Sequence, residues 1–125
     1  MLRIGLIAHD GKKPEMVSFV VANKQFLKDA KIYATGTTGK HIANEGFDVT
    51  CVLSGPKGGD AQIAALIATS DIDAVIFFRD PLDKHPHEPD VQMLLRICDV
   101  HNVPLATNPK SAMYILKGMH CESLL

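Results

Sequence analysis

The sequence predicts an α/β protein: three layers, with a doubly wound, mostly parallel sheet of five strands between helices. Three observations predict it. Short β-like apolar runs alternate with helix-length segments almost from end to end. The intervening segments are long enough to serve as the crossovers that parallel neighbours require. Glycine-bearing polar turns follow the first three apolar runs, at the strand ends where such sheets assemble ligand crevices.

The elements follow in order. Arg3 to Ala8 reads as the first strand. Pro14 to Asn23, continuing through Phe26 and Leu27, reads as a helix, with Pro14 suited to its first turn and Val17, Phe19 and Val20 on its apolar face. Lys31 to Ala34 is a strand, and Thr38 to Glu45 is a helix stopped by Gly46. Val49 to Leu53 is the third strand. Asp60 to Ser70 follows as a helix with Asp60 placed to cap it and Ile63, Ala64 and Ile67 facing inward. Ala74 to Phe78 is the fourth strand, after which the proline-rich stretch Asp80 to Pro89 is a long irregular loop suited to covering the strand ends. Asp90 to Asn102 is a helix with Asp90 as cap and Met93, Leu94 and Ile97 as core. Pro104 to Ala106 is the last strand, and Pro109 to Leu116 a helix capped by Asn108.

With 125 residues and 46% hydrophobic content, the chain suits a single domain spanning residues 1–125. Lys and Arg number 13 against 14 Asp and Glu, a formal charge of −1, so no global basic field points to nucleic acid or an anionic membrane. Any anion site is therefore local. The longest apolar runs fall far short of a membrane span, and His9 and Asp10 interrupt Ile4 to Ala8 before it could form a signal-peptide core, so a soluble, cytoplasmic protein is expected. Cys51, Cys98 and Cys121 have neither disulfide nor zinc-knuckle spacing. Cys51 and Cys98 sit in apolar runs, where a buried structural thiol is expected.

Every strand end delivers polar chemistry to one rim: His9-Asp10, Thr35-Gly36-Thr37-Thr38, Ser54-Gly55, Arg79-Asp80 and Thr107-Asn108. Thr35 to Gly39 offers backbone amides and hydroxyls to a phosphate at a helix start, or is simply a turn with Thr37 or Thr38 as cap. Lys13, just past the first strand, adds a point charge within reach. In Ser54-Gly55-Pro56-Lys57-Gly58-Gly59-Asp60 the acid either caps the next helix or stands as a base beside an anion-binding turn. His85 and His87, among Asp80, Asp83 and Asp90, are open to three readings: a metal site, a histidine held by a carboxylate as hydrogen-bond donor, or a solvated loop. Pro86 and Pro89 favour an extended chain that turns the two rings apart.

Taken together, Ala8-His9-Asp10 with Lys13, Ala34 to Gly39, Leu53 to Asp60, Phe77 to Leu82 and Pro86 to Val91 resemble the methylglyoxal synthase family across almost the whole chain. The resemblance implies a Rossmann-like sheet and an enzyme that turns dihydroxyacetone phosphate into methylglyoxal and inorganic phosphate. It implies no metal or organic cofactor, a homohexamer, and phosphate as product and candidate inhibitor. Carried over by motif, Asp60 is the expected base, and His9, Lys13, Thr35, Gly36, Thr37, Thr38, Ser54, Gly55 and His87 the expected substrate contacts. Asp10, Asp80 and Asp90, with His87, complete the expected catalytic set. Longer members carry a C-terminal extension past the position of Leu125, so regulation through such a tail is not carried over. A non-catalytic effector-binding module, like the regulatory domain of carbamoyl-phosphate synthetase, shares this architecture, and a metal-dependent phosphohydrolase is a further alternative.

Overall fold

A computed structural model describes residues 2–82 and 89–124, with the side chains of 89 and 90 left aside. The strands are β1 (Arg3–Ala8), β2 (Lys31–Thr35), β3 (Val49–Val52), β4 (Ala74–Phe78) and β5 (Leu105–Ala106). The helices are α1 (Lys13–Ala22), α2 (Lys24–Leu27), α3 (Gly36–Asn44), α4 (Gly59–Ala68), α5 (Pro89–Val100) and α6 (Pro109–Ser123). All strand pairs are parallel, in the order β3-β2-β1-β4-β5. The sheet is therefore parallel throughout rather than mostly so.

Alternation along the strands produces the two faces. Ile4, Leu6 and Ala8 of β1 and Ala74, Ile76 and Phe78 of β4 point into one core layer with Met16, Phe19, Val20, Leu27, Ile42, Ala112 and Leu116, and so bury α1, α2, α3 and α6. Ile7, Val75 and Phe77 point the other way, onto Ile63, Ala64 and Ile67 of α4 and Val91, Leu94 and Cys98 of α5. Helix sides follow from strand order. The chain steps outward from β1 to β2 and β3, then crosses to β4 and β5, and right-handed crossovers in opposite directions lie on opposite faces. The order reverses between β1 and β4, so a crevice opens above their carboxyl ends.

Several boundaries differ from the sequence reading, each for a local reason. Asp60 does not cap α4: Gly58, at φ 106°, occupies the cap, and Asp60 stands in the first turn. Asp90 is likewise inside α5, which begins at Pro89. Helix α6 runs on to Ser123 because Met119 continues the apolar stripe of Ala112 and Leu116 through Gly118. Asn108 caps it as expected, its side chain accepting from the Ser111 amide at 3.0 Å. Cys51 is exposed, contrary to expectation, because β3 is an edge strand, while Cys98 is buried. Among the described residues no helix is long and apolar enough to cross a membrane.

Candidate active site

His9 and Asp80 join the carboxyl ends of β1 and β4. The His9 amide donates to the Phe78 carbonyl at 3.1 Å, extending the β1–β4 ladder one step past the strands. His9 Nδ1 in turn accepts from the Asp80 amide at 3.0 Å, and the ring stands edge-on to Phe77, with centroids 5.2 Å apart. Oδ1 of Asp80 accepts from the Leu82 amide at 3.1 Å, and Oδ2 lies 3.2 Å from where a Cβ on Gly11 would be. Arg79 is half-buried beside it.

Lys13 joins this loop to the one after β2. Its Nζ donates to Thr37 Oγ1 at 3.0 Å and pairs with Asp10 Oδ1 at 2.9 Å; Asp10 itself is almost fully exposed. The ammonium thus sits on the turn that the sequence marks for an anion. Thr35 ends β2 in extended conformation and is buried, and Gly36 takes φ 53°, a left-handed conformation that a side chain would strain. A Cβ at Gly36 would also press on Ser54, 3.3 Å away, so the turns after β2 and β3 touch here. Thr38 is fully buried, and its Oγ1 has no hydrogen-bond partner among the described residues. A buried hydroxyl without a partner costs about 1–3 kcal/mol. A ligand oxygen would remove that penalty.

The third turn sets Asp60. The Ser54 carbonyl accepts from the Lys57 amide at 3.0 Å and the Gly59 amide at 2.9 Å, folding the chain back on itself. Gly59 passes so close to Leu53 that a Cβ there would collide with the Leu53 carbonyl oxygen. That approach is what starts α4 at this point and swings Asp60 inward, leaving it only 8% exposed. Its two carboxylate oxygens both lie 3.3 Å from the position of a Cβ on Gly55. A carboxylate at the start of a helix also meets the favourable end of the helix dipole.

The structure therefore pairs His9 with Asp80, Lys13 with Thr37 and Asp10, Gly36 with Ser54, and Gly55 with Asp60, while Thr35 and Thr38 lie buried beside Gly36 and Thr37. His85 and His87 lie outside the described residues, as does the side chain of Asp90. Among the described residues no three His, Cys, Asp or Glu side chains gather to hold a metal ion. At the fifth strand end Asn108 caps α6, as the sequence predicts. Sequence reasoning passed over Gln62, whose Oε1 accepts from the Leu53 amide at 2.8 Å and ties α4 to the end of β3, and Phe77, the support of the His9 ring. A polar residue facing back along a helix leaves no spacing signal, and Phe77 reads as ordinary core. Lys13 also borders an open groove of about 450 Å³ with Pro14, Val17, His41, Asn44 and Glu45.

At the opposite ends of the strands Arg3 and Asp73 form a two-pronged pair: NH2 to Oδ1 at 2.9 Å and Nε to Oδ2 at 3.2 Å, with the Arg3 amide adding a bond of 2.9 Å to Oδ2. The hydrogen bond from Arg3 holds the Asp73 carboxyl below its ordinary value against partial desolvation, and Asp73 raises Arg3 in return. Burial pushes the Cys98 thiol up to about 11, which leaves it inert.

Comparison with known proteins supplies the family. The family model of the MGS-like domain matches residues 15–107. The methylglyoxal synthase of Lysinibacillus sphaericus is 55% identical over 119 residues, covering 94% of this chain and 89% of its own. That of Carboxydothermus hydrogenoformans is 52% identical over 121 residues, covering 96% of this chain and 100% of its own. The crystal structure of methylglyoxal synthase from Elizabethkingia anophelis superposes with a TM-score of 0.85 at 44% identity, covering 92% of this chain and 76% of that one.

Proposed function

This chain belongs to the methylglyoxal synthase family, and from that premise we propose how its rim carries out the family's reaction. It is a carbon–oxygen lyase that converts dihydroxyacetone phosphate into methylglyoxal and inorganic phosphate. Relatives at 52–55% identity over nearly the whole chain set aside the effector-binding and phosphohydrolase alternatives.

Asp60 is the base. Its carboxylate takes a proton from the hydroxymethyl carbon of the substrate, and the C–H electron pair becomes the double bond of an enediolate. The remaining hydroxyl then gives up its proton: its oxygen forms the aldehyde C=O, the C=C pair shifts toward the ester carbon, and the ester C–O bond breaks, so that phosphate leaves with the bonding electrons and takes up the hydroxyl proton. The resulting enolate takes back at its terminal carbon the proton held by Asp60, which gives the methyl group and restores the carboxylate. All electrons stay within the substrate, so the sequence of steps is redox-neutral and needs no oxidant or reductant.

Lys13, Thr35 to Thr38, Ser54 and Gly55 hold the phosphate by charge and by backbone and hydroxyl donors. Their task extends past binding. Elimination outruns isomerisation only if the ester bond stands perpendicular to the enediolate plane, where it overlaps the π system, so the turns must hold the phosphate out of plane. His9 and His87 donate to the oxygens on which charge develops, each such donor contributing on the order of 3 kcal/mol to the transition state. Asp10, Asp80 and Asp90 complete the proposed catalytic set. We read the working protein as a cytoplasmic homohexamer inhibited by its product phosphate, which would occupy the same turns.

One observation carries this reading: Asp60, buried to 8% exposure, faces Gly55 in the turn that also contacts the Gly36 loop, so base and anion site adjoin. Incubating the purified protein with dihydroxyacetone phosphate tests it. Dicarbonyl and phosphate are expected in equal amounts; phosphate release with glycerone instead of dicarbonyl would show a hydrolase and overturn it.

A further inference from the structure

We propose that Asp80 is a positioning residue that fixes which nitrogen of His9 carries the proton. The neutral imidazole has one N–H and one lone pair, and which is which depends on its partners. The partner of Nδ1 is the Asp80 backbone amide at 3.0 Å. A backbone amide donates and never accepts, so Nδ1 presents its lone pair and Nε2 holds the proton. Histidines at active sites are more often set by a carboxylate or carbonyl accepting from one nitrogen; here a donor sets the opposite tautomer.

Such control works only if the amide itself cannot turn away. Two hydrogen bonds and one close approach hold it. The His9 amide is anchored to the Phe78 carbonyl at 3.1 Å, which brings the two strand ends into register. The Asp80 carboxylate accepts from the Leu82 amide at 3.1 Å, a side-chain turn that fixes the peptide from its far side. The same carboxylate reaches over Gly11, where a Cβ would stand 3.2 Å from Oδ2. The ring is held as well, edge-on to Phe77 at an interplanar angle of 86°.

The consequence for catalysis rests on the lyase reading above. An N–H at Nε2 stabilises an enediolate oxygen, whereas a lone pair there repels it. Asp80 then acts through His9 and takes no proton. Asparagine preserves the accepting oxygen but loses the charge and the basicity, so it separates positioning from proton transfer.

The test uses the full chain labelled with ¹⁵N-histidine near neutral pH, the His9 signals being identified by their loss in His9→Gln. Nε2 is expected to show the protonated signature and Nδ1 the unprotonated one. Asp80→Ala should blur that pattern and lower kcat about 10²-fold with little change in KM, while Asp80→Asn should restore the pattern and recover most of the lost rate. A proton on Nδ1 in the unaltered protein would overturn the proposal. So would an unchanged His9 pattern in Asp80→Ala, or an Asp80→Asn rate as low as that of Asp80→Ala. The histidine spectrum does not depend on turnover: a protein that kept the Nε2 proton, and lost it in Asp80→Ala, yet made no methylglyoxal would overturn the lyase reading and support the positioning role.

Discussion

The two ends of the same sheet treat polar groups in opposite ways. At the amino ends of β1 and β4, Arg3 and Asp73 satisfy one another through two side-chain bonds, and the Arg3 amide adds a third. At the carboxyl ends, Asp60 is buried in the first turn of α4, and the Thr38 hydroxyl is fully buried with no partner among the described residues. Gly36, Gly58 and Gly59 there sit where a side chain would strain or collide. One end is built to be complete as folded, and the other carries local costs that a bound phosphate would offset. On the reading proposed above, the mutually satisfied polar pair and the groups that meet substrate lie at opposite ends of the same strands.

Substitutions at the two ends should therefore behave differently. The largest effect is expected from Gly59→Ala, because the new methyl would meet the Leu53 carbonyl oxygen and force α4 to move; a loss of roughly 3 kcal/mol in denaturant unfolding is expected, along with activity. Unaltered stability would mean that the turn is less tight than described. Next comes Thr38→Val, which removes the unpartnered hydroxyl at nearly constant volume. It should raise stability by up to about 1 kcal/mol and weaken phosphate binding about tenfold; lower stability with unchanged binding would remove Thr38 from the anion site.

At the amino end, Asp73→Asn should lower Tm by only about 2–4 °C at neutral pH, since a partly exposed pair contributes little, and should leave kcat alone. Because Asp73 is held below its ordinary 3.8, the stabilisation is full above that value and fades as pH falls through the lower folded value. The gap in Tm between the two proteins should close in acid; a gap that widened would reverse the assignment. The smallest effect is chemical. Cys98, raised to about 11 by burial, should alkylate far more slowly in the native protein than Cys51 or Cys121.

Much of this was legible in the sequence. The strand–helix alternation specified a doubly wound sheet, and Asn108-Pro109 specified a helix start, because both signals are local. So was the rim, since the ends of parallel strands face one way. The place of Asp60 was ambiguous because a cap and a first-turn acid look alike in sequence; that Gly58 and not Asp60 is the cap goes with the close backbone approach of Gly59 to Leu53, a packing fact without a spacing signature. The His9–Asp80 bond spans 71 positions in the chain and involves a main-chain amide, which no side-chain pattern could announce. Cys51 was misjudged for a related reason: an apolar run says strand, but not whether that strand lies at the edge.

In the proposed reaction the Asp60 carboxylate removes the substrate proton beside a phosphate site that stands without it. Asp60→Asn separates the two, with turnover of dihydroxyacetone phosphate and affinity for inorganic phosphate measured on the same preparation. Turnover should fall by about 10²- to 10⁴-fold while phosphate affinity stays within a few-fold of the unaltered protein. Near-normal methylglyoxal formation by that variant would contradict the account.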